Sequence, residues 1–230
     1  RNVILDRFDP ASLLAAVAQH RITHLMLVPT MMNRLVEAIE GGGRGDWSSL
    51  VRIHYGTAPT PVPLLRRAIR LFGPILRQQY GMTEAVQPLT VLYPHEHLGD
   101  SDDGADDPIG SCGKPTANVR IELRDAQGRA VPQGEIGEVT LAHEGAAQVT
   151  LWGRPALQAE TVRDGWYHTG DLGRFDRHGF LHIVGRNKDM IISGGFNVYA
   201  REVEDALAAH PSVLEAAVLG VPDAEWGERV

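Results

Sequence analysis

The sequence predicts an α/β region built on a parallel sheet, then a small antiparallel β region, and finally the start of an α+β region. Three observations lead to this prediction. In the first part of the chain, apolar runs of strand length alternate with stretches of helical periodicity. From about Val86, short strands separated by Gly, Pro and Asp turns replace them. Beyond Arg186, a strand, a turn and a helix follow one another. We therefore expect three regions, 1–95, 96–186 and 187–230.

The first region has the pattern of repeated βαβ units. Asp9 and Pro10 supply an N-cap and a first-turn proline for one helix, and Thr30 is placed to cap the next. Helices of ten or more residues separate the strands, which predicts that the strands are parallel. The expected strands are His24–Val28, Val51–Tyr55 and Ile75–Tyr80, and the expected third helix is Pro61–Phe72.

The rest of the chain is rich in short strands. Turn signals at Asp125–Gly128 and Asp176–Gly179 separate them, which indicates an antiparallel sheet or barrel. Gly194-Gly195 predicts a further turn, and a helix is expected from about Ala200 to Ala209. The expected strands are Val119–Arg124, Glu138–Ala142, Leu172–Phe175, Phe180–Val184, Met190–Ile192 and Val213–Val221.

The composition is ordinary for a globular protein and gives no broad basic surface. Of the 230 residues, 43% are hydrophobic and 22% are charged, and the formal net charge is −7. This acidic balance argues against nucleic acid and anionic lipid as partners, and no run of residues predicts an integral membrane segment. The single cysteine, Cys112, cannot form an internal disulfide, which indicates a cytoplasmic location; burial as a small apolar side chain is its simplest role.

The two ends of the sequence are unusual. The chain begins with Arg1 rather than Met, and no apolar segment of signal-peptide type follows. It stops at Val230, directly after a strand-like run. We therefore expect the chain to be part of a longer protein.

Small and polar residues follow the predicted parallel strands. Pro29-Thr30 follows the first strand, Gly56-Thr57-Ala58-Pro59 the second, and Tyr80-Gly81-Met82-Thr83-Glu84 the third. Ligands bind beyond the carboxyl ends of such strands, and small residues there let backbone N–H groups approach a phosphate or a purine. Alone, the Gly-Thr-Ala-Pro segment fits an ordinary strand-to-helix turn. Two such segments on neighbouring strands favour a binding site.

The Tyr80–Glu84 segment combines groups that nucleotidyl transfer requires. Tyr80 offers an aromatic face for adenine, Thr83 a hydroxyl donor for a phosphate, and Glu84 an anionic ligand for Mg²⁺. A helix cap followed by a first-turn acid is the commoner use of a Thr-Glu pair. Both interpretations stay open on these residues alone.

Two later segments place charges at strand boundaries. In Trp166–Leu172, Asp171 is expected at a turn just before a strand. A carboxylate there either holds ribose hydroxyls or simply forms the turn. In Gly185–Asp189, Arg186 and Lys188 end a strand and by themselves fit a solvated surface run.

The order and spacing of these segments resemble the superfamily of acyl-CoA synthetases, luciferases and peptide-synthetase adenylation domains, and most closely its fatty-acyl-CoA ligases. The resemblance covers essentially the whole chain. It implies a luciferase-like or acyl-CoA synthetase-like fold whose C-terminal domain, beginning near residue 187, is mobile. The segments that carry it are Tyr80–Glu84, Tyr167–Leu172, Gly185–Ile192 and Ser193–Tyr199, with looser agreement at Gly134–Glu138, Gly220–Asp223 and Gly227-Glu228.

The resemblance also implies roles for the residues of the parallel region. Gly56, Thr57, Ala58 and Pro59 would line the adenine and acyl pockets, and Tyr80 would lie against adenine with Gly81 beside it. Thr83 and Glu84 would be catalytic. Thr83 would donate to the α-phosphate, and Glu84 would bind Mg²⁺.

For the later segments, the resemblance implies contacts to ribose and to the acyl acceptor. Asp171 would hold the ribose hydroxyls, and Arg186 would reach ribose or phosphate. Lys188 would occupy a hinge about which the C-terminal domain swings between two half-reactions. Gly194 and Gly195 would line the channel for a pantetheine thiol, where a β-carbon would obstruct passage.

The implied reaction activates a carboxylic acid, expected to be a fatty acid, with ATP and Mg²⁺ and transfers the acyl group to coenzyme A. An aryl acid as substrate, a carrier protein as acceptor, and a non-catalytic AMP-binding remnant are the alternatives. The family's glycine-rich phosphate loop and the lysine near its C-terminus have no counterpart in this sequence. We therefore expect the chain alone to be inactive.

Overall fold

The computed structural model describes residues 1–85, 88–99, 106–142, 144, 150–210, 212–213 and 216–230. These residues form two compact units. The first unit consists of Arg1–Gly81 and Thr90–Gly113, and the second of Met82–Leu89 and Lys114–Val230. The change of pattern expected at Val86 lies outside the described residues. The expected boundaries at 95 and 186 concern functional domains rather than compact units, and they remain predictions.

The first unit contains the predicted parallel sheet. Its strands β1 (His24–Leu27), β2 (Arg52–Gly56) and β3 (Leu76–Gly81) are adjacent and parallel, and β4 (Pro88–Leu92) follows β3 in the sheet order. The prediction of parallel strands is therefore confirmed, with boundaries that differ from the expected ones by one residue. β4 was not expected from the sequence.

The helices α2 (Pro29–Glu40) and α3 (Val62–Phe72) connect these strands, and α1 (Pro10–His20) precedes β1. The prediction for α1 is confirmed, because the Asp9 carboxylate accepts a hydrogen bond from the Ser12 amide at 2.8 Å. The predicted cap of α2 is wrong. Val28 is its N-cap residue, and Thr30 lies inside the helix. Proline at the first helical position already supplies the φ angle that a helix start requires, so Pro29 begins the helix without a side-chain cap.

The core of the first unit lies between the sheet and these helices. Alternation along the strands buries Leu25 and Leu27 while Met26 between them is 75% exposed. The helices bury the apolar residues that recur at helical spacing. Leu14 and Val17 of α1, Leu35 and Val36 of α2, and Leu65 and Ala68 of α3 belong to one cluster with Ile53 and Leu76 of the sheet.

A polar pair is also buried in the first unit. The Tyr55 hydroxyl lies 2.9 Å from Nε2 of His97, whose Nδ1 lies 2.9 Å from the Tyr93 carbonyl oxygen. Because a carbonyl only accepts, Nδ1 carries the proton and Nε2 accepts from the tyrosine. Burial lowers the pKa of His97 to about 4, so this imidazole is neutral near pH 7.

The second unit contains the predicted antiparallel sheet. Its strands are β6 (Ile121–Arg124), β7 (Gly137–Ala142), β9 (Trp166–Phe175) and β10 (Leu181–Arg186). They are ordered β10-β9-β7-β6, with β8 (Val162–Arg163) on β9 and α4 (Pro155–Thr161) immediately before β8. The short β5 (Lys114–Pro115) precedes Thr116, whose amide donates to the Leu89 carbonyl at 2.9 Å. Every pairing among β6, β7, β9 and β10 is antiparallel.

The segment around Asp171 differs from its prediction. Asp171 was expected at a turn just before a strand that begins at Leu172. It lies instead within β9, a continuous strand of ten residues. Thr169 and Gly170 are residue types that are common in turns. Here they form a bulge within the strand instead of a turn before it.

The last part of the second unit forms a four-stranded sheet with one helix. Strands β11 (Met190–Ser193) and β12 (Phe196–Tyr199) are joined by the predicted turn, where Gly194 and Gly195 have φ angles of 57° and 84°. Helix α5 (Ala200–Ala208) ends one residue before its predicted end. β13 (Val221–Asp223) and β14 (Gly227–Arg229) complete the sheet order β12-β11-β14-β13.

The strand predicted at Val213–Val221 is wrong for the residues that are described. Val213 and residues 216–220 are not in a strand, and Val221 begins β13; Leu214 and Glu215 lie outside the described residues. Apolar residues alone do not make a strand unless a partner strand accepts their backbone hydrogen bonds. Across the described part of the chain, no helix is both long and apolar enough to pass through a membrane.

The hairpin between β9 and β10 depends on a buried carboxylate. The Asp176 side chain is fully buried and accepts hydrogen bonds from the amides of His178 and Phe180 at 2.8 and 2.9 Å. Nε2 of His182 lies 2.9 Å from its second oxygen. The turn beginning at Asp125 has the same Asp-x-x-Gly pattern, but the Asp125 side chain is 26% exposed.

We expect Asp176→Ala to destabilise the protein by about 3 kcal/mol, because it leaves buried donors without an acceptor. Asp125→Ala is the matched control and should cost much less, since water reaches the donors of that turn. Urea unfolding followed by circular dichroism measures both changes. Equal losses from the two variants would contradict the importance of burial at Asp176.

Candidate functional site

A cavity in the second unit collects several of the predicted site residues. Its volume is about 520 Å³, which is within the usual range for small-molecule pockets. Its walls come from the segment after β3, from the middle of β9, and from the end of β10 with the turn that follows. The lining residues are Met82, Glu84, Tyr167, Thr169, Gly170, Asp171, Arg186, Asn187 and Lys188.

Asp171 and Arg186 form the charged centre of this cavity. They are directly opposite each other in the pairing of β9 with β10, and Nε of Arg186 donates to Oδ1 of Asp171 at 3.0 Å. The Asp171 side chain is 8% exposed, whereas that of Arg186 is 59% exposed. The carboxylate is therefore fixed in the wall, while the guanidinium has room to turn toward a ligand.

The bulge in β9 explains the position of Asp171. In the pairing with β7, His168 is opposite Thr140 and Leu172 is opposite Glu138. Three residues of β9 therefore face the single residue Val139. A bulge of this kind interrupts the ladder and redirects side chains. Here it brings Thr169, Gly170 and Asp171 to the cavity wall.

The Thr169 hydroxyl helps to hold the bulge closed. It donates to the Val139 carbonyl at 2.8 Å and accepts from the Asp171 amide at 3.0 Å. Gly170 has a φ angle of 77°, a conformation that glycine adopts without steric cost. The Thr169 side chain thus supplies hydrogen-bond partners for backbone groups in this region. Gly170 supplies the backbone conformation that the bulge requires.

Carboxylates face a tyrosine across this cavity. Glu84 is exposed and lies in the short 3₁₀ turn Thr83–Ala85. Burial raises the pKa of Tyr167, and the negative charges of Glu84 and Asp171 raise it further. Glu84 and Asp171 are therefore close enough to Tyr167 to affect its pKa. Thr83 lies in the same turn but is not one of the lining residues.

The end of β10 supplies cations to the cavity. A 3₁₀ turn over Asn187–Asp189 directly follows Arg186, and it places Asn187 and Lys188 among the lining residues. Lys188 is exposed. Two positive side chains therefore stand at the cavity together with the carboxylates of Glu84 and Asp171.

The other predicted nucleotide contacts belong to the first unit. Gly56 ends β2 opposite Gln79 of β3, and a Cβ on Gly56 would overlap the Gln79 carbonyl oxygen. Thr57 has a φ angle of 70°, which is strained for a β-branched residue and marks candidate functional backbone. Tyr80 and Gly81 end the neighbouring strand β3, so the two predicted segments lie at the same edge of the sheet.

Ala58 and Pro59 are exposed beyond that edge. The contacts of Gly56, Thr57, Ala58, Pro59, Tyr80 and Gly81 with a ligand stay predictions.

The glycines predicted to line a thiol channel lie in the hairpin between β11 and β12. The Gly194 amide donates to the Trp226 carbonyl at 2.8 Å. A Cβ on Gly194 would come within 2.6 Å of Cε3 of the Trp226 indole, so a larger residue would displace that ring. Gly195 is exposed, and a Cβ there would meet open space.

The structure thus brings Glu84, Asp171, Arg186 and Lys188 to one cavity although as many as 104 positions separate the first from the last. Sequence reasoning missed five lining residues. All five lie inside motifs that had been recognised, and membership of those motifs was the available signal. The missed residues are Met82, Tyr167, Thr169, Gly170 and Asn187.

The chain also matches two known protein families. The family described as AMP-binding enzyme matches residues 1–149, and the family described as AMP-binding enzyme C-terminal domain matches residues 202–230. The chain belongs to the AMP-binding enzyme family. The resemblance inferred from the sequence motifs is therefore confirmed.

Curated relatives of this family member include ligases of different acids. The medium/long-chain-fatty-acid–CoA ligase FadD8 of Mycobacterium tuberculosis is 44% identical over 228 residues, which are 99% of this chain and 38% of the relative. A feruloyl-CoA synthase of an Amycolatopsis species is 40% identical over 226 residues, 98% of this chain and 44% of the relative. The chain thus spans about two fifths of the length of these relatives.

Solved structures of similar proteins confirm the fold. The o-succinylbenzoate CoA synthetase MenE of Bacillus subtilis, solved in complex with the acyl-adenylate intermediate OSB-AMP, has a TM-score of 0.80 and 34% identity. The match covers 96% of this chain and 43% of that chain. The predicted combination of α/β and α+β regions is therefore that of adenylate-forming enzymes.

The raised pKa of Tyr167 tests the geometry of the cavity without any ligand. We expect Glu84→Gln to lower this pKa, because it removes one of the negative charges that disfavour the phenolate. NMR titration of tyrosine labelled at Cζ measures the change. Glu160→Gln, which neutralises an exposed carboxylate on α4, should leave the titration unaltered. An unchanged titration in Glu84→Gln would place Glu84 away from Tyr167.

Proposed function

We propose that this chain forms the nucleotide-binding part of a ligase that activates a carboxylic acid with MgATP and passes the acyl group to coenzyme A. The first half-reaction gives an acyl-adenylate and pyrophosphate, and the second gives the acyl thioester and AMP. The observation that carries the proposal is the single cavity lined by Glu84, Asp171 and Arg186 in a member of the AMP-binding enzyme family.

Asp171 has the properties of a ribose-binding residue. Its carboxylate is held in the cavity wall by the strand pairing and by Arg186, and a fixed carboxylate accepts hydrogen bonds from two neighbouring hydroxyls. Arg186 is more exposed and would turn toward the ribose or the phosphate, where a guanidinium forms charge-assisted hydrogen bonds. Tyr167 gives the same wall an aromatic edge.

Glu84 and Thr83 would handle the phosphate and its metal. An exposed carboxylate on the cavity is a suitable oxygen ligand for Mg²⁺, which is commonly held by one or two carboxylates together with substrate phosphates. Mg²⁺ when bound would neutralise charge that develops on the phosphate oxygens. Thr83, in the same turn, would donate its hydroxyl to the α-phosphate, on which the carboxylate of the acid attacks in line.

The ends of β2 and β3 carry the residues for which we propose adenine and acyl contacts. The edge formed by the ends of β2 and β3 offers backbone at Gly56–Pro59 and the ring of Tyr80, with Gly81 beside it. The strained backbone of Thr57 supports a functional role for this edge.

The acceptor would enter past the hairpin at Gly194 and Gly195. Lys188 would act as the hinge, because it lies in the short turn between β10 and β11. We propose domain boundaries at residues 95 and 186 and a C-terminal domain that moves about this turn between the half-reactions.

A fatty acid is the substrate we propose, because the relative FadD8 is named as a medium/long-chain-fatty-acid–CoA ligase. An aryl acid is the second candidate, because another relative is named as a feruloyl-CoA synthase at similar identity. We place the protein in the cytoplasm, where ATP and coenzyme A are available.

We expect Asp171→Asn to weaken AMP binding by the 230-residue chain by about a hundredfold, since it removes charge-assisted hydrogen bonds to the ribose. Isothermal titration calorimetry with AMP measures this. Asp189→Asn is the matched control, because Asp189 makes the same charge change next to Lys188 but does not line the cavity. AMP binding that is equally strong in both variants would refute the proposed nucleotide site.

We also expect the chain to show no ATP–pyrophosphate exchange with fatty or aryl acids. We infer from the resemblance that this chain carries neither the family's glycine-rich phosphate loop nor its C-terminal lysine, both of which would act on the phosphates during adenylation. Exchange of radiolabelled pyrophosphate into ATP is the measurement. Exchange well above the background of the Glu84→Gln variant would show that these elements are dispensable.

A further inference from the structure

We propose that Glu138 is a positioning residue for nucleotide binding, because it fixes the bulge of β9 that presents Asp171. This inference rests on the proposed role of Asp171 in holding ribose. Glu138 lies on β7 and is not one of the residues that line the cavity. It would therefore act through the backbone of β9 and not by touching the nucleotide.

Glu138 supplies the acceptor that the interrupted ladder lacks. At the bulge, Gly170 has no opposite residue in β7 that pairs with it. Its amide donates instead to Oε1 of Glu138 at 3.0 Å. Gly170 immediately precedes Asp171, so this bond fixes the backbone from which the Asp171 side chain projects.

The second oxygen of Glu138 is also engaged. Nδ1 of His168 lies 2.7 Å from Oε2, and the Arg163 guanidinium lies 3.7 Å from the same oxygen. The Glu138 side chain is 16% exposed and that of His168 is 9% exposed. A carboxylate that is shielded from water and packed against these groups at one oxygen has little freedom to move its other oxygen away from the Gly170 amide.

The two sides of the bulge are thus held by different side chains. Thr169 binds the Asp171 amide from within the bulge, and Glu138 binds the Gly170 amide from the neighbouring strand. Without Glu138, the Gly170 amide has to find water or another acceptor, and the bulge has to shift to reach it. The carboxylate of Asp171 would then lose the fixed position that ribose binding requires.

The test compares four variants of the 230-residue chain by calorimetry with AMP. We expect Glu138→Ala to weaken AMP binding by about tenfold, because it removes the acceptor for Gly170. Glu138→Gln keeps a carbonyl oxygen at the same reach and should stay within about threefold of the parent chain. Glu138→Asp keeps the charge but is one methylene shorter, and it should lose about as much as alanine. Glu122→Ala is the control, because Glu122 pairs with Arg120 and Arg124 and has no bond to the bulge.

The variants also decide whether Glu138 acts through Asp171. If it does, Glu138→Ala should cause no further loss in a chain that already carries Asp171→Asn. Thermal unfolding verifies that each variant is folded. If Glu138→Ala does not fold, the AMP affinities of Glu138→Gln and Glu138→Asp are compared instead. Stronger binding by Glu138→Gln supports the hydrogen bond to Gly170, and stronger binding by Glu138→Asp shows that the charge alone matters.

Several results would overturn the inference. Unchanged AMP affinity in Glu138→Ala, or equal losses in Glu138→Ala and Glu122→Ala, would remove the positioning role while leaving the nucleotide site intact. A loss in Glu138→Gln as large as that in Glu138→Ala would show that charge, and not the hydrogen bond to Gly170, matters. If Asp171→Asn leaves AMP binding unchanged, the proposed function itself fails, and this inference fails with it.

Discussion

The cavity of the second unit depends on the register of β9 with its two neighbouring strands, which is irregular on both sides. β9 pairs with β7 on one side and with β10 on the other, and on the β7 side three of its residues face one. A regular strand would send alternate side chains to opposite faces. The bulge instead brings three consecutive residues to the cavity wall, while the pairing with β10 keeps Arg186 opposite Asp171. The charged centre of the site follows from these two registers together.

Side chains around this bulge supply hydrogen bonds that the regular strand pairing does not provide. Backbone groups that leave the ladder need other partners when they are shielded from water. Thr169 and Glu138 provide them. Beyond the site, Asp176 closes the hairpin that joins β9 to β10 and binds two amides of its own turn. Side-chain oxygen acceptors, partly buried at the site and fully buried at Asp176, thus hold both the site and the hairpin that carries it.

The candidate site combines a buried carboxylate with charged side chains that are exposed. Asp171 is buried and fixed, whereas Arg186, Lys188 and Glu84 are exposed at the same cavity. A ligase that performs two half-reactions at one nucleotide site has to hold the adenylate firmly and rearrange the groups around it. A buried Asp171 beside the exposed side chains of Arg186, Lys188 and Glu84 would meet both requirements of the proposed reaction. The same division supports ribose binding by Asp171 and phosphate handling by its exposed neighbours.

The sequence by itself determined the types and order of most elements, the parallel and antiparallel character of the two main sheets, and the family. Local signals were sufficient for these, because periodicity, proline and glycine act within a few residues: the start of α1 at Asp9 and the turn at Gly194-Gly195 were predicted correctly. The cap expected at Thr30 failed because Pro29 already began the helix. The strand expected from Val213 failed because an apolar run needs a partner strand. Only the tertiary structure decided that Asp171 lies in a bulge and that Glu138, 32 positions before Gly170, binds its amide. A bulge is defined by how two strands pair, and the sequence of either strand alone does not specify that pairing.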